Sequence, residues 1–237
     1  MKTFDIIMIN MSSYSEWERG VSNRNYHVLR ELLHSEQVGR ILAVDYPPLT
    51  FKRALRNHKE NIVASVKGSS VLSRTFYDSF VKISDRLYVY SNVEFFIRPH
   101  HFIRRMREKA ISLNFTDFIV WSFFPPAAEH LKGLGQKLTV FDAVDNWAEH
   151  PSYAKIKERL KGNYHFIKNN SEVIFTVASD LQKLFDNQPN VYWIPNGVDL
   201  THYQKQHVLI NRDIADIPRP IIGYIGVIQD RVDIELV

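Results

Sequence analysis

The chain of 237 residues contains no cysteine. No disulfide framework can therefore stabilise the fold, and the composition is compatible with the reducing cytoplasm. No apolar run approaches the roughly 18 residues that a membrane-spanning helix requires, because the longest candidate, FIVWSFFPPAA, is interrupted by Pro125 and Pro126. The N-terminal MKTFDIIMIN has a short apolar run that contains Asp5, which favours a strand over a signal peptide. We therefore expect a cytoplasmic protein.

The signatures of common cofactor sites are also missing. Gly20 is the only glycine between residues 11 and 24, so the G-x-G-x-x-G motif of dinucleotide-binding folds is absent after the first strand, and there is no P-loop. The ten histidines form no metal-binding pattern. His100 and His101 are adjacent and would point about 100° apart on a helix. We expect neither a metal nor a bound cofactor.

Charge of one sign is only slightly in excess. The chain has 30 Lys and Arg against 26 Asp and Glu, a formal charge of +4. This balance suits a protein that meets phosphates or an anionic surface, but it is too small to indicate a nucleic-acid partner.

Short apolar runs alternate with longer amphipathic segments along most of the chain, and 45% of the residues are hydrophobic, which is enough for a sizeable core. Continuous apolar strands that alternate with helices are typical of a parallel sheet covered on both faces. The pattern therefore predicts an α/β fold, a Rossmann-like doubly wound parallel sheet. The predicted strands cover residues 4–10, 38–47, 61–66, 85–91, 117–123, 137–144 and 171–178, and a final strand and turn cover 190–199. The predicted helices cover residues 22–35, 99–113, 152–170 and 179–187.

The composition changes after residue 200. Residues 201–220 are polar, carry two prolines and lack periodicity, and IIGYIGVI at 221–228 then begins a new apolar strand. We predict a first domain over 1–200, a linker over 201–220, and over 221–237 the first strand and loop of a second, truncated domain.

The stretch VFDAVDNW ends a buried strand with two carboxylates, Asp142 and Asp145, followed by Asn146 and Trp147. In open α/β sheets ligands bind beyond the carboxyl ends of the strands, where Trp121 and the 12–20 loop should also lie. In an extended segment the two aspartates point to opposite sides. We select Asp145 as the one that faces a cleft and Asp142 as a structural acid held by backbone N–H groups. The alternatives are that both cap a loop and that 12–20 is an ordinary surface loop.

The segment FIRPHHFIRRMREK predicts a helix with Ile103, Met106 and Ala110 on one face. Its basic residues are compatible with a solvated helix or with contact to anionic lipid. The lipid interpretation keeps open a peripheral position on the inner face of the plasma membrane. The four arginines concerned are Arg98, Arg104, Arg105 and Arg107.

Residues 171–203 contain a strand that leads to Ser179, a helix, and a strand that ends in PNGVD and Tyr203. This order resembles the end of the N-terminal domain of GT-B glycosyltransferases, especially the large retaining family 4. IIGYIGVIQDRVD resembles the first strand and loop of that family's donor-binding domain. VFDAVDNW resembles a YDxVDDW segment of members that build bacterial surface polysaccharides, including teichuronic-acid-type proteins. The resemblance covers most of the chain but is weak before residue 115.

The resemblance implies a glycosyltransferase that moves a sugar from a nucleotide-sugar donor to a polysaccharide carried on a polyprenyl diphosphate. The first domain would present the acceptor, and Asp145 would be the catalytic carboxylate that orients its hydroxyl or accepts its proton. The implied acceptor-binding residues are Trp17, Arg19, Gly20, Trp121, Asp142, Asn146 and Trp147. The implied donor-binding residues are Asn196, Gly197, Gly226 and Arg231.

The sequence departs from the family in two places. It has no Gly-Gly pair after the first strand, and Trp121 to Phe124 replace a histidine that many members carry after the strand DFIVW. A sugar-nucleotide epimerase and a non-catalytic sugar- or lipid-binding module are the alternative functions. Because most donor contacts of the family come from its second domain, we expect the 237-residue chain to bind nucleotide sugars weakly at most and to lack transferase activity. Gly197 is expected to have a positive φ in a tight turn.

Overall fold

A computed structural model describes residues 3–64, 66, 68–94, 98–130, 132–200, 204, 212–224, 233 and 235. The chain divides into two compact units, Met1–Asn196 and Gly197–Val237. In the second unit the described residues include one short helix, Arg212–Ala215, and residues 221–224 have no regular secondary structure. Tyr203, Gly226 and Arg231 lie outside the described residues.

Nine strands of the described residues form one sheet in the order β3-β4-β5-β2-β1-β6-β7-β8-β9. Neighbouring strands are parallel in the part of the sheet that runs β5-β2-β1-β6-β7-β8-β9. The pairs β3–β4 and β4–β5 are antiparallel. The predicted α/β class is confirmed, whereas the prediction of a purely parallel sheet is wrong at this edge. The strands are β1 Phe4–Ile9, β2 Val38–Val44, β3 Ser70–Arg74, β4 Asp78–Lys82, β5 Leu87–Asn92, β6 Phe118–Ser122, β7 Leu138–Ala143, β8 Val173–Thr176 and β9 Val191–Trp193.

Helices connect these strands, and several are short. The α-helices of the first unit are α1 Tyr14–Glu18, α2 Arg24–His34, α3 Phe51–Asn57, α4 Pro99–Ser112, α5 Lys157–Asn170 and α6 Ser179–Gln182. A π-helix, His58–Val63, continues α3. Short 3₁₀ segments span Pro125–His130, Trp147–Glu149, Pro151–Ile156 and Lys183–Phe185. The predicted strand over 61–66 is therefore wrong, because residues 61–63 belong to the π-helix and neither Ala64 nor Val66 is in a strand.

Alternate residues of the central strands enter two separate apolar clusters. Ile7 of β1 belongs to the cluster that contains Met106 of α4 and Leu160 of α5. Ile6 of the same strand belongs to a second cluster with Leu29 of α2. Because successive side chains of a strand point to opposite faces, helices cover both faces of the sheet. This arrangement is compatible with the predicted Rossmann-like fold.

The direction of the connections reverses at β1. The chain leaves β1 through α1 and α2 to reach β2 on one side, whereas β6, on the other side of β1, is entered from α4. In open α/β sheets a crevice forms where the connections diverge, just beyond the carboxyl ends of the strands. The fold thus singles out the region after β1, β2 and β6 as a place for a ligand.

Candidate functional site: a cleft at the carboxyl edge of the sheet

A cleft of ≈ 720 Å³ opens at this edge. Its lining comes from the segment after β1 with Met11 and Ser12, the segment after β2 with Tyr46, and the segment after β7 with Trp147 and Tyr153. The volume lies within the range of small-molecule sites, about 300–1,000 Å³. A smaller cavity of ≈ 270 Å³ lies at the start of β7, away from the carboxyl ends. Location and size both favour the larger cleft.

One wall of the cleft is aromatic. Tyr153 is stacked on Trp147 with ring centroids 4.6 Å apart and planes 7° from parallel. Trp147 meets Phe124 edge to face at 5.7 Å, and Phe124 meets Tyr46 in the same way at 5.1 Å. Trp147 is almost fully buried, whereas Tyr153 is half-buried. Tyr153 therefore presents its ring to the cleft, and Trp147 supports it from behind.

The backbone after β7 is fixed by a tyrosine of α5. The Trp147 N–H donates to the Tyr164 hydroxyl at 3.1 Å, and that hydroxyl donates to the backbone oxygen of Asp145 at 2.9 Å. The Asn146 side chain accepts a hydrogen bond from the Ala148 N–H at 3.1 Å. Asn146 is thus the N-cap of the 3₁₀ turn Trp147–Glu149, a role that needs no ligand.

The opposite wall carries an ion pair. Arg53 Nη2 lies 2.6 Å from Glu16 Oε1, and Glu16 Oε2 accepts the Ser13 N–H at 2.9 Å. Burial acts to raise the pKa of Glu16, but the Ser13 amide and Arg53 together hold it below its usual value. The Arg53 guanidinium also lies 5.2 Å from the centre of the Tyr46 ring. Its Nε is buried and has no hydrogen-bond partner within the described part of the chain.

The hydroxyls of Tyr46 and Tyr153, both on the aromatic wall, interact with each other. Burial and the interaction with Tyr153 raise the pKa of Tyr46 well above its ordinary value. Burial also raises the pKa of Tyr153, while its hydrogen-bond interaction with Tyr46 acts in the opposite direction. These opposite effects mean that the Tyr46 hydroxyl donates to the Tyr153 oxygen, so the Tyr153 hydroxyl is the one that can donate to a ligand oxygen.

A buried carboxylate lies beneath the lip of the cleft. Asp45 follows β2, accepts the Tyr14 N–H at 2.7 Å through Oδ1, and accepts the Ser91 hydroxyl through Oδ2. Burial raises the pKa of Asp45 to about 7, with the Glu16 charge acting in the same direction and Arg53 against it. Asp45 connects the start of α1 to the sheet through the hydrogen bond from the Tyr14 N–H. The segment that carries Glu16 is therefore held by an acid that titrates near neutrality.

Asp145, the carboxylate expected to be catalytic and to line the cleft, is not among the lining residues, although Trp147, two residues later, is one of them. The Asp145 side chain is exposed, so it is not held dry in the core. Its charge contributes to raising the pKa of Tyr153 and Tyr164. Asp145 is thus an exposed carboxylate in the segment that leads from β7 to the aromatic wall.

Asp142 and Trp121 belong to a different environment. Asp142 is fully buried and its Oδ1 lies 2.8 Å from Arg24 Nε of α2. It is therefore a structural acid held by an arginine, and the expectation of backbone N–H partners is wrong. Burial raises the pKa of Asp142, and Arg24 and Trp121 act against it. Trp121 packs against Phe175 at 5.5 Å and does not line the cleft, so its acceptor-binding role is not favoured by its position.

The 12–20 segment is more ordered than an ordinary loop, since α1 occupies its centre. Trp17 is buried and donates from Nε1 to the Ser12 hydroxyl at 2.7 Å. Arg19 is exposed and forms an ion pair with Glu60 at 2.9 Å. Gly20 has a φ of +93°, a value that favours glycine. The cleft is lined by Ser12 and Glu16 from this segment, rather than by Trp17, Arg19 or Gly20.

The described donor-side candidates are Asn196 and Gly197. Asn196 Oδ1 and the Pro195 carbonyl oxygen each lie 3.4 Å from Arg24 Nη1. Arg24 thus links the buried Asp142 to the turn at the end of the first unit. Gly197 is not among the described glycines with positive φ, so that expectation is wrong.

The basic helix α4 is only partly available for lipid contact. Arg105 is engaged by two buried carboxylates, Glu94 at 3.0 Å and Asp78 at 3.3 Å. Its proposed role at a membrane is therefore wrong. Arg104 is exposed and lies 3.8 Å from Glu108, and Arg98 and Arg107 are also exposed.

Sequence reasoning missed Arg53, Tyr46 and Tyr153. Tyr46 follows Asp45 directly after β2, so the rule that ligands bind beyond strand ends could have identified it. Arg53 and Tyr153 are brought to the cleft by α3 and by the 3₁₀ segment Pro151–Ile156. No local motif marks either of them.

No protein-family model matches the chain, and no curated protein matches it either. Within the described ranges no cluster of three or more His, Cys, Asp or Glu side chains is arranged to hold a metal ion. None of the helices in the described part of the chain is both long enough and apolar enough to cross a bilayer.

Proposed function

We propose that the protein binds a glycan in the cleft, as the acceptor-side part of a glycosyltransferase that uses a nucleotide-sugar donor. The observation that carries the proposal is the pairing of walls: Tyr153 stacked on Trp147 on one side, and the Glu16–Arg53 ion pair on the other. The acceptor we propose is a growing cell-surface polysaccharide on a polyprenyl diphosphate, as the sequence resemblance implies.

The two walls complement the two kinds of surface on a sugar ring. A pyranose has an apolar face of C–H groups, which packs on an aromatic ring, and a rim of hydroxyls, which needs hydrogen-bond partners when it is desolvated. Glu16 stays ionised and can accept hydrogen bonds, while the Arg53 Nε is a buried donor without a partner in the described residues. This combination supports a polar, uncharged ring as the ligand.

Asp145 is the carboxylate that we assign to the reaction. It would orient the acceptor hydroxyl and accept its proton while the hydroxyl oxygen bonds to the anomeric carbon of the donor. The bond from that carbon to the diphosphate oxygen breaks in the same reaction, and the diphosphate leaves. Glu16 is less suited to this role because Ser13 and Arg53 hold its pKa below the usual value, which makes it a weaker base.

The donor would be held mainly by the second unit. Asn196 and Gly197 at the unit boundary keep their proposed donor-side role, together with Gly226 and Arg231, which lie outside the described residues. No metal is assigned to the reaction. The negative charge that develops on the leaving diphosphate would need cationic or N–H groups instead.

Glycan binding can be tested on the 237-residue chain by NMR. The protein has four tryptophans, so four indole N–H signals report on four places. Methyl pyranosides and short oligosaccharides are expected to shift the Trp147 signal and to leave those of Trp121 and Trp193 unchanged. Tyr153→Ala should abolish the shift. A shift confined to Trp121 or Trp193, or none with any sugar tested, would contradict the proposal.

The role of Asp145 can be tested in the same titration. Asp145→Asn removes one charge-assisted hydrogen bond, so it should weaken binding about tenfold, or ~1.4 kcal/mol. Glu149→Gln is the matched control, because Glu149 is an exposed carboxylate on the 3₁₀ turn that follows Asp145, and it pairs with Lys157. Equal affinities of the two variants would contradict the role of Asp145. Micromolar binding of uridine or guanosine diphosphate sugars by the chain would contradict the acceptor-side assignment.

A further inference from the structure

The helix that contributes Arg53 to the cleft exposes large apolar side chains on another of its faces. Phe51 is 71% exposed and Leu55 is 63% exposed, one turn apart in α3. Soluble surfaces carry single apolar side chains routinely, but adjacent large ones indicate a contact surface. We call this face of α3 and of the following π-helix the outer arc.

Cationic side chains alternate with the apolar ones on the outer arc. Residues 51–63 contain four cationic side chains and one carboxylate. Lys52, Arg56 and Lys59 are exposed and lie beside Phe51 and Leu55. Arg56 is paired at 2.9 Å with the single carboxylate, Glu60, which also accepts Arg19 at 2.9 Å. A single carboxylate is thus shared by two arginines, and the outer arc keeps a net positive charge.

The tip of the β3–β4 hairpin extends this surface. Phe76 is 70% exposed, and its ring centroid lies 4.7 Å from that of His58 at the start of the π-helix. Phe76 also meets Tyr77 edge to face at 5.1 Å. The hairpin tip lies at the carboxyl end of β5, since Asp78 pairs with Asn92. The contact between His58 and Phe76 therefore joins the outer arc to the hairpin tip, at the sheet edge that holds the cleft.

The remaining faces of α3 are occupied. Ala54 is buried and forms a small apolar cluster with Ile62 and Val93. Thr50 and Arg53 line the cleft. The helix is thus anchored on one side, contributes to the cleft on a second, and presents apolar and cationic groups to solvent on a third.

We propose that the outer arc and the hairpin tip form a docking surface for an anionic lipid bilayer. Aromatic and aliphatic side chains enter the boundary between head groups and acyl chains, and lysines and arginines beside them meet lipid phosphates. The charge favours a bilayer over a second copy of this chain, because two cationic arcs facing each other would repel. The inference rests on the proposed function, in that a polyprenyl-linked acceptor must be met at a membrane.

This surface differs from the one expected on α4. Arg105 of that helix is held by internal carboxylates, and the exposed apolar residue near its end, Ile111, lies toward the opposite edge of the sheet, where α4 leads into β6. The outer arc combines exposed cations with exposed apolar groups on the helix that also contributes Thr50 and Arg53 to the cleft. Lipid contact there would bring a membrane-bound acceptor to the site.

The absence of cysteine makes a direct test possible. Leu55→Cys and Phe76→Cys, each labelled with an environment-sensitive fluorophore in the full chain, should show a blue shift with vesicles of phosphatidylcholine and phosphatidylglycerol. Ile111→Cys is the control, since Ile111 is 62% exposed on α4. Blue shifts at 55 and 76 without one at 111 would support the proposal. Equal shifts at all three positions, or none, would overturn it.

Vesicle flotation with charge variants provides an independent test. Each cation near an anionic surface contributes about 1 kcal/mol, roughly fivefold in partitioning. Lys52→Glu with Lys59→Glu should therefore lower binding by at least about 20-fold, while Arg107→Glu on α4 changes it little. Equal losses in both variants would overturn the assignment of the surface. The assignment would also be overturned if the protein did not bind vesicles and instead formed a concentration-dependent dimer in sedimentation experiments, and if Leu55→Glu abolished that dimer.

The same experiments separate this inference from the proposed function. The vesicle assays need no sugar, and the indole shift of Trp147 needs no lipid. Vesicle binding without any glycan-induced shift would leave the docking surface supported and contradict the glycan cleft. A glycan-induced shift without vesicle binding would contradict the docking surface alone.

Discussion

Replacing Asp45 by asparagine is expected to stabilise the protein at alkaline pH and to affect it much less at acid pH. Burial raises the pKa of Asp45 from 3.8 to about 7. Its folded-state pKa is thus above its unfolded value, so the stability it contributes is full below pH 3.8 and is lost as pH rises to about 7. With these two pKa values, ionisation of Asp45 lowers the free energy of unfolding by ~1.5 kcal/mol at pH 5 and by ~4 kcal/mol at pH 8.

Asparagine suits the site because it keeps both hydrogen bonds. Its Oδ1 can accept the Tyr14 N–H, and its Nδ2 can donate to the Ser91 hydroxyl oxygen, which now need not donate. Removing the titration should therefore not create an unsatisfied polar group. The difference in unfolding free energy between Asp45→Asn and the unmodified protein should rise by ~2.5 kcal/mol between pH 5 and pH 8.

Urea unfolding followed by tryptophan fluorescence at pH 5, 6.5 and 8 measures this difference. Asp85→Asn is the control, because Asp85 is fully exposed and Lys82 holds its pKa below the usual value. Its contribution to stability has the opposite sign and is lost as pH falls, so its variant should not gain stability with pH. A difference for Asp45→Asn that does not change with pH, or that falls toward pH 8, would refute the reasoning.

Two further predictions concern stability. Arg24→Met leaves the fully buried Asp142 carboxylate unpaired, so it should cost about 3–5 kcal/mol, and a second change of Asp142→Asn should recover part of the loss in urea unfolding. A cost below 1 kcal/mol would show that the pair is not important. Gly39→Ala should destabilise by about 1–2 kcal/mol, because its Cβ would lie 2.6 Å from Asp5 Oδ1, the acceptor of the Arg40 N–H. Gly162→Ala, in α5 with no atom within 4 Å, should instead stabilise by up to about 1 kcal/mol, and a stability change of the same sign in both variants would contradict the contact argument.

The central strands and the main helices could be predicted because their periodicity is strong. β1, β2, β5, β6 and β7 lie within or next to the expected apolar runs, and α4 begins at Pro99 as predicted. The segment 61–66 was misjudged because NIVASV has the composition of a strand. The helical state of residues 61–63 is set by continuity with α3 and by the burial of Ile62 against Ala54 and Val93.

The antiparallel edge could not be predicted from apolar runs. β3 is mostly exposed, so its residues show no burial signal. A local signal does exist at the turn, where the Thr75 hydroxyl donates to Asp78 Oδ1 at 2.6 Å and accepts the Asp78 N–H at 3.1 Å. Here a threonine lies three residues before an aspartate, between two runs of β-forming residues. Such a spacing indicates a hairpin, because hydrogen bonds between side chain and backbone stabilise the turn.

The candidate site was predicted in its location rather than in its members. Strand ends pointed to the edge of the sheet at which the cleft opens, with Trp147 and the segment of Glu16 in its lining. The distinction between Asp142 and Asp145 followed from the alternation of an extended chain, and the burial of one and the exposure of the other agree with it. The partners that decide the chemistry, Arg53 and Tyr153, come from distant segments. Only the packed fold brings them to the cleft.

The short helix α3 connects the two proposals. Arg53 and Leu55 are two residues apart, so one side chain can face the cleft while the other faces a bilayer across a helix about 10 Å wide. A free sugar would need only the cleft, and a peripheral protein without a glycan ligand would need only the outer arc. A lipid-linked glycan needs both, because its sugar cannot move far from the membrane that holds its carrier. Leu55→Glu should therefore leave the affinity for a free oligosaccharide unchanged and weaken binding of the same glycan when it is lipid-linked in vesicles. If both affinities fell together, α3 would be acting through the fold of the cleft, and the link between the two surfaces would be wrong.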